Sequence, residues 1–231
     1  MSICELSWDS NFFSKKIAKI QLDGTEQIAV EDMINYDLVY IFLPVEYEQK
    51  YKNQIQQLKL EAADCKVLFS KDITKQISEE IDNDVKFINT ESRELADLVL
   101  LSGWCSRFNL DCLLQDKYQA LYLQWMRNYL DNGDKRTLGY FIDDNLAGMI
   151  SFHLADSACT IGLFAVSPDF QRRGIGRKLL SSVELYSRKK GITRCYVSTQ
   201  KANIGALKTY SDCGYNILSE TLIYHWWNKY E

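Results

Sequence analysis

The chain has 231 residues, 46% of them hydrophobic and 13% aromatic. That is apolar material for one large domain or two small halves sharing a core, and it excludes a disordered chain. A net charge of −4 excludes a general attraction for nucleic acid or an anionic membrane surface, while leaving room for local basic patches.

Seven cysteines, at positions 4, 65, 105, 112, 159, 195 and 213, form no C-x-x-C pair. An odd number without a pairing pattern reads as reduced thiols. The start, Met1-Ser2-Ile3-Cys4-Glu5, lacks the charged region of a secretion signal. No apolar run approaches the ~20 residues of a membrane helix. The expectation is a cytoplasmic protein.

In chain order, Ile17–Leu22 alternates apolar and polar residues and reads as a half-buried strand. Leu38–Leu43 is a continuous apolar run closed by Pro44, a buried strand. Tyr47, Tyr51, Ile55, Leu58 and Ala62 recur at helical spacing and predict an amphipathic helix. Lys66–Ile73 reads as another strand. The polar, acidic stretch Ser78–Asp84 then serves as a link, so the expected units are 1–84 and 85–231.

The second half opens with strand Val85–Ile88. Thr90 is placed to cap a helix running to about Leu101. Residues 102–117 are less regular. Tyr118, Leu121, Tyr122, Trp125 and Tyr129 form one stripe of a helix over 118–130, with Gly133 marking its end. Three strands follow, 137–142, 147–154 and 160–166, with a tight turn at Asp143-Asp144-Asn145. Then come a helix over 174–190, a strand over 194–199, a helix over 203–213 and a last strand over 217–227. The expected class is α/β: a mixed, mostly antiparallel sheet flanked by helices, with an amino-terminal α/β extension.

The most telling stretch is Gln171-Arg172-Arg173-Gly174-Ile175-Gly176, directly after Leu163-Phe164-Ala165-Val166-Ser167-Pro168. A strand ends at a proline and a Gly-rich turn opens a helix. Free N–H groups at a helix start can grip a phosphate. Two glycines let the main chain approach an anion, and the arginines beside them add charge. A bound pyrophosphate is the physical implication.

This ordered set resembles the GNAT acetyltransferase superfamily: Val166-Ser167-Pro168, the Gln171–Gly176 turn, then Asn203, Ala206-Leu207, Tyr210 and Gly214-Tyr215. The resemblance implies acetyl-CoA as co-substrate. It places the coenzyme pyrophosphate at Gln171, Arg172, Arg173, Gly174, Ile175, Gly176 and Arg177. The pantetheine arm lies along Phe164, Ala165 and Val166 like an added strand, within reach of Asn203. One N–H of that edge faces the thioester oxygen, and Tyr210 is the catalytic residue beside the sulfur.

A narrower resemblance runs along nearly the whole chain. Leu6-Ser7-Trp8-Asp9-Ser10-Asn11-Phe12-Phe13 with Ile17–Ile20 is similar to the start of the dTDP-fucosamine acetyltransferase family. Ser106-Arg107-Phe108, Leu121–Asn128 and Val197–Gln200 through Asn203 agree with it. It implies a nucleotide-linked amino sugar as acceptor, the amino-terminal extension contributing to its site, and a homodimer. Arg107 either pairs with the nucleotide diphosphate or serves a structural ion pair. Tyr122 and Trp125 either stack on the base or fill the core. A protein amino terminus, a lysine or an aminated small molecule are alternative acceptors, and a non-catalytic acyl-CoA sensor is the rival of another class. His153 and His225 are isolated, so no metal site is expected. Asp111 and Glu220 are both placed to act as a base, and spacing does not choose between them.

Overall fold

The computed structural model describes residues 3–74, 82–130 and 133–228. Their order is β1 (Ile3–Glu5), α1 (Ser7–Phe13), β2 (Ile17–Gln21), α2 (Val30–Met33), β3 (Leu38–Pro44), α3 (Glu48–Gln57) and β4 (Ala62–Asp72). Next come β5 (Val85–Phe87), α4 (Arg93–Ser102), α5 (Arg107–Leu110), α6 (Tyr118–Leu130), β6 (Lys135–Ile142), β7 (Asn145–Ala155) and β8 (Ala158–Val166). The chain closes with α7 (Ile175–Lys189), β9 (Arg194–Gln200), α8 (Ile204–Asp212) and β10 (Asn216–Trp227).

Two compact units are present. The first holds Met1–Val67, Gln200–Ala202 and Ser219–Glu231; the second holds Leu68–Thr199 and Asn203–Leu218. Strands β4 and β10 therefore have residues in both. The expected boundary at 84/85 falls inside the second unit, and residues 78–81 of the expected link lie outside the described residues.

In the first unit β2 runs parallel to β3, while β1 and β10 run antiparallel to their partners β2 and β3. Apolar residues of β2 and β3 meet Met33, Tyr51 and Ile55 from the helices to form the core. The helical stripe read over 47–62 is shorter than expected. Tyr47 sits in a 3₁₀ turn, and α3 stops at Gln57 because Lys59 takes a left-handed φ of 51°. Ala62, read as the last helical position, instead opens β4.

In the second unit β5, β6, β7 and β8 form an antiparallel meander, and β8 then pairs with β9 in parallel. The β6–β7 turn is tight because Asp143 and Asp144 both adopt positive φ, the requirement of a two-residue hairpin loop. Helix α7 buries Ile175, Leu179, Leu180 and Val183. Gly148 of β7 faces this helix: a β-carbon there would lie 3.2 Å from both Ile175 and Leu179. Helix α4 buries Leu95, Leu98 and Val99. Its cap is Ser92, not Thr90: the Ser92 hydroxyl accepts from Leu95 N–H at 3.1 Å. Among the described residues no helix is long and apolar enough to cross a membrane.

Candidate active site

The turn before α7 has the shape of an anion cradle. Arg172 and Gly174 are left-handed, with φ of 61° and 79°, and Arg173 lies between them. Such alternation makes successive N–H groups converge. Gly174 is the N-cap of α7 and supplies no side-chain cap, so the first-turn N–H groups stay available at the positive end of a 15-residue helix. Arg173 lies against Phe170, its guanidinium 5.3 Å from the ring centre. Gln171 donates its side-chain N–H to the Val166 carbonyl at 3.2 Å. Arg172, Arg173 and Arg177 are all exposed.

Gly176 is where this turn meets the strand. A β-carbon on it would lie 3.3 Å from Phe164 Cζ, 3.7 Å from Thr209 and 3.8 Å from Val166. The start of α7, the end of β8 and α8 thus converge on a position that has no side chain.

Strand β8 carries a bulge that the linear pattern did not reveal. Ile150 pairs with Phe164 and Phe152 with Ile161, so Gly162 and Leu163 together oppose Ser151. On its other edge, β8 pairs with β9 from Ala158↔Arg194 to Ile161↔Val197 and no further, although β8 continues to Val166 and β9 to Gln200. The bulge therefore marks the point where the two strands part. Gly162 inside a strand pattern was the signal available for it.

Backbone groups at the parted edge follow from alternation. Ser167 donates its N–H to Ala147 of β7 at 2.9 Å. Two residues earlier, Ala165 faces β7 in the same way. Phe164 and Val166 turn their N–H and C=O groups to the open edge, as the Gln171–Val166 contact also shows. The edge expected over 164–166 is thus formed by Phe164 and Val166, and Ala165 contributes no donor to it.

Tyr210 lies on α8 and is buried, among Phe69 (5.5 Å between ring centres), Phe164 (6.1 Å) and Tyr215 (6.1 Å). Burial pushes its phenol well above the ordinary tyrosine range, with the neighbouring Cys213 adding to the shift. The group is a neutral hydrogen-bond donor. Asn203 caps α8, its Oδ1 accepting from Ala206 N–H at 3.1 Å.

The residues expected on the acceptor side resolve differently. Tyr122 is 5% exposed, its ring against Gly103, Tyr118 and Trp125. That placement fits the core-filling reading and corrects the stacking one, because neighbours cover the ring. Trp125 is half-buried, edge-on to Phe108. The Arg107 guanidinium lies 4.2 Å over the Phe108 ring. Trp104, which periodicity did not single out, stands 66% exposed on a loop held by an Asn109 Nδ2 bond to its carbonyl. Of the two base candidates, Glu220 is paired with Lys201 at 2.7 Å and Asp111 accepts from Leu113 N–H. His153 is partly buried, which pulls its pKa down.

Residues 103–215 match the family described as the acetyltransferase (GNAT) family. The ribosomal protein bS18-alanine N-acetyltransferase of Salmonella typhimurium is 27% identical over 114 residues, 48% of this chain and 77% of that one. A conserved Staphylococcus epidermidis protein of unknown function shares the fold at a TM-score of 0.62 and 15% identity, over 90% of this chain and 82% of its own. A GCN5-related N-acetyltransferase from Sphaerobacter thermophilus does so at 0.55 and 10% identity. That match covers 83% of this chain, which spans only 60% of the Sphaerobacter chain's length. The match to the acetyltransferase (GNAT) family runs through the strand, turn and helix of this site and takes in just under half of the chain.

Proposed function

We propose that this enzyme moves the acetyl group of acetyl-CoA to the primary amine of a nucleotide-linked amino sugar, with dTDP-4-amino-4,6-dideoxy-galactose as the acceptor to try first. The observation that carries the transfer is the convergence at Gly176 of an uncapped helix start, an open strand edge and the helix bearing Tyr210. A β-carbon would fill that cradle, so the residues present fit a coenzyme tail passing through it.

Bound acetyl-CoA supplies an acetyl group already activated as a thioester. The N–H groups opening α7, with Arg172, Arg173 and Arg177, hold the diphosphate. Phe164 and Val166 offer N–H donors where negative charge grows on the acyl oxygen, and one such donor is worth roughly 3–4 kcal/mol. Tyr210 keeps its proton because its surroundings are dry. It first donates a hydrogen bond to the departing sulfur. A thiolate whose thiol has pKa ~8.5 takes no proton outright from a phenol raised above ~10. Net transfer to sulfur is completed as the newly acylated nitrogen gives its own proton back to Tyr210. An acceptor amine that arrives neutral therefore needs no dedicated base.

The sugar acceptor is supported by the signature at Leu6–Phe13, by Ser106-Arg107-Phe108, and by aromatic surface of the kind a flat base prefers. Trp8 stacks on Phe12 at 5.1 Å and 11° and is 48% exposed. A second reading, acetylation of a protein amino terminus, is favoured by the name of the Salmonella relative. Thiol release measured with acetyl-CoA and either the amino-sugar nucleotide or a peptide beginning with alanine separates the two. Release with the peptide alone establishes the second reading. Binding of acetyl-CoA without release for any amine leaves an acyl-CoA sensor.

A further inference from the structure

We propose that Tyr129 is a positioning residue: its phenol, seated on Gly162, sets the β8 bulge and so holds open the edge along which the acyl donor lies. This rests on the acetyl-CoA reading of that edge.

Gly162 is one of the two residues that oppose Ser151 in the bulge, and the β8–β9 ladder stops at the residue just before it. A β-carbon on Gly162 would lie 2.2 Å from Tyr129 Oη, 2.6 Å from Cζ and 3.0 Å from Cε2. The phenol thus occupies the space any side chain would take. Gly162 has no left-handed φ, so no backbone turn demands glycine here; contact with the phenol does. Gly162 nevertheless remains exposed, as expected of a backbone covered on one side and open on the other.

Tyr129 is itself held. It lies in the last turn of α6, with the Lys135 ammonium 5.7 Å over its ring and the His153 ring 6.5 Å away. Seven residues earlier on the same helix, Tyr122 meets Gly103 in the same manner: a β-carbon on Gly103 would lie 2.2 Å from its ring. Two tyrosine-on-glycine contacts thereby fix α6 against β8 and against the turn after α4. A seat of this kind transmits position: the bulge cannot relax into regular pairing with β7 while the phenol fills that space. Without the bulge, β8 would regain register with β7 and its remaining groups could close upon β9.

The test is acetyl-CoA titration calorimetry on the full chain, with amide hydrogen exchange of uncomplexed β8. Wild type is titrated first; no binding there removes the acetyl-CoA reading itself. Given wild-type binding, Gly162→Ala is expected to raise the acetyl-CoA Kd about tenfold while kcat at saturation stays within about twofold. Adding Tyr129→Leu in that background is expected to restore Kd to within about threefold of wild type, because the space is vacated. Tyr129→Leu alone is expected to change exchange at Leu163 and Phe164 and to weaken binding. An unchanged Kd in folded Gly162→Ala overturns the proposal, as does a double variant no better than the single. If Gly162→Ala does not fold, Tyr129→Leu decides: unaltered exchange and unaltered Kd overturn it.

Discussion

The ring of Tyr210 lies 6.1 Å from the ring of Phe164, and Phe164 is also the first atom group a side chain at Gly176 would strike. One aromatic residue therefore lies beside Tyr210, on the open strand edge and against the start of α7. The chemistry and the binding can be separated by substitutions on either side of it.

Tyr210→Phe keeps every ring contact and removes only the hydroxyl. Its expected effect is a fall in kcat of about 100-fold, with little change in acetyl-CoA affinity or in melting temperature. Steady-state kinetics beside a thermal melt checks this. A variant with wild-type turnover would remove Tyr210 from the chemistry and leave the fold assignment intact.

Gly174 and Gly176 are expected to fail in opposite ways. A β-carbon on Gly174 meets nothing within 4 Å, but the residue sits at φ 79°. Gly174→Ala therefore costs roughly 1–2 kcal/mol of stability through backbone strain. Gly176 has an ordinary helical backbone, where alanine is the better helix former by up to about 1 kcal/mol. Its β-carbon instead crowds Phe164. Gly176→Ala is expected to keep stability and to weaken acetyl-CoA binding about tenfold. Urea unfolding and calorimetry on the two variants give the comparison, and equal losses in both assays would contradict it.

Several tyrosines link folding to alkaline pH. Burial raises the pKa of Tyr118, Tyr210 and Tyr215 above the free value, and Tyr118 also donates to the Leu100 carbonyl. The folded state then holds these protons more tightly than the unfolded chain. Their contribution to stability is complete below about pH 10 and is lost as the pH climbs past it. The urea midpoint should be flat with respect to these groups up to that point and fall beyond it. Tyrosinate absorbance from the buried rings should rise together with loss of helical signal; ionisation of all fourteen tyrosines in a still-folded protein would show the burial argument to be wrong.

Local punctuation explains what could be read from the chain alone. The α7 start is written in consecutive residues, a proline, two arginines and two glycines, so the turn that opens the helix was legible. The Asn203 cap is just as local, because it needs only Ala206 three residues on. The hairpin at Asp143-Asp144 was equally local. The bulge was not, because it depends on which residues of β7 stand opposite, and register is a property of two strands. Tyr122 and Trp125 shared a helical stripe, yet periodicity says only that a face is covered, not whether protein or ligand covers it. Tertiary placement also decided the units: residues Ser219–Glu231 belong with the first unit, and nothing in the order of elements announces that.

Lys71 and Glu184 form an ion pair at 2.7 Å with side chains only 11% and 7% exposed, and Lys71 also lies 5.4 Å over the Tyr215 ring. The pair joins the end of β4 to the middle of α7, behind the helix whose start forms the cradle. Removing one partner leaves the other charge in a dry site, which typically costs about 3–5 kcal/mol, whereas replacing both with apolar residues of similar volume is often neutral. Lys71→Met is therefore expected to lower stability by about that amount, and Lys71→Met with Glu184→Leu to recover most of it. Chemical unfolding of the wild type, both single variants and the double gives the coupling energy directly. If the double variant is as unstable as the singles combined, the pair acts through something other than the mutual neutralisation of two buried charges, and its role in holding α7 must be sought in the packing of Lys71 on Tyr215.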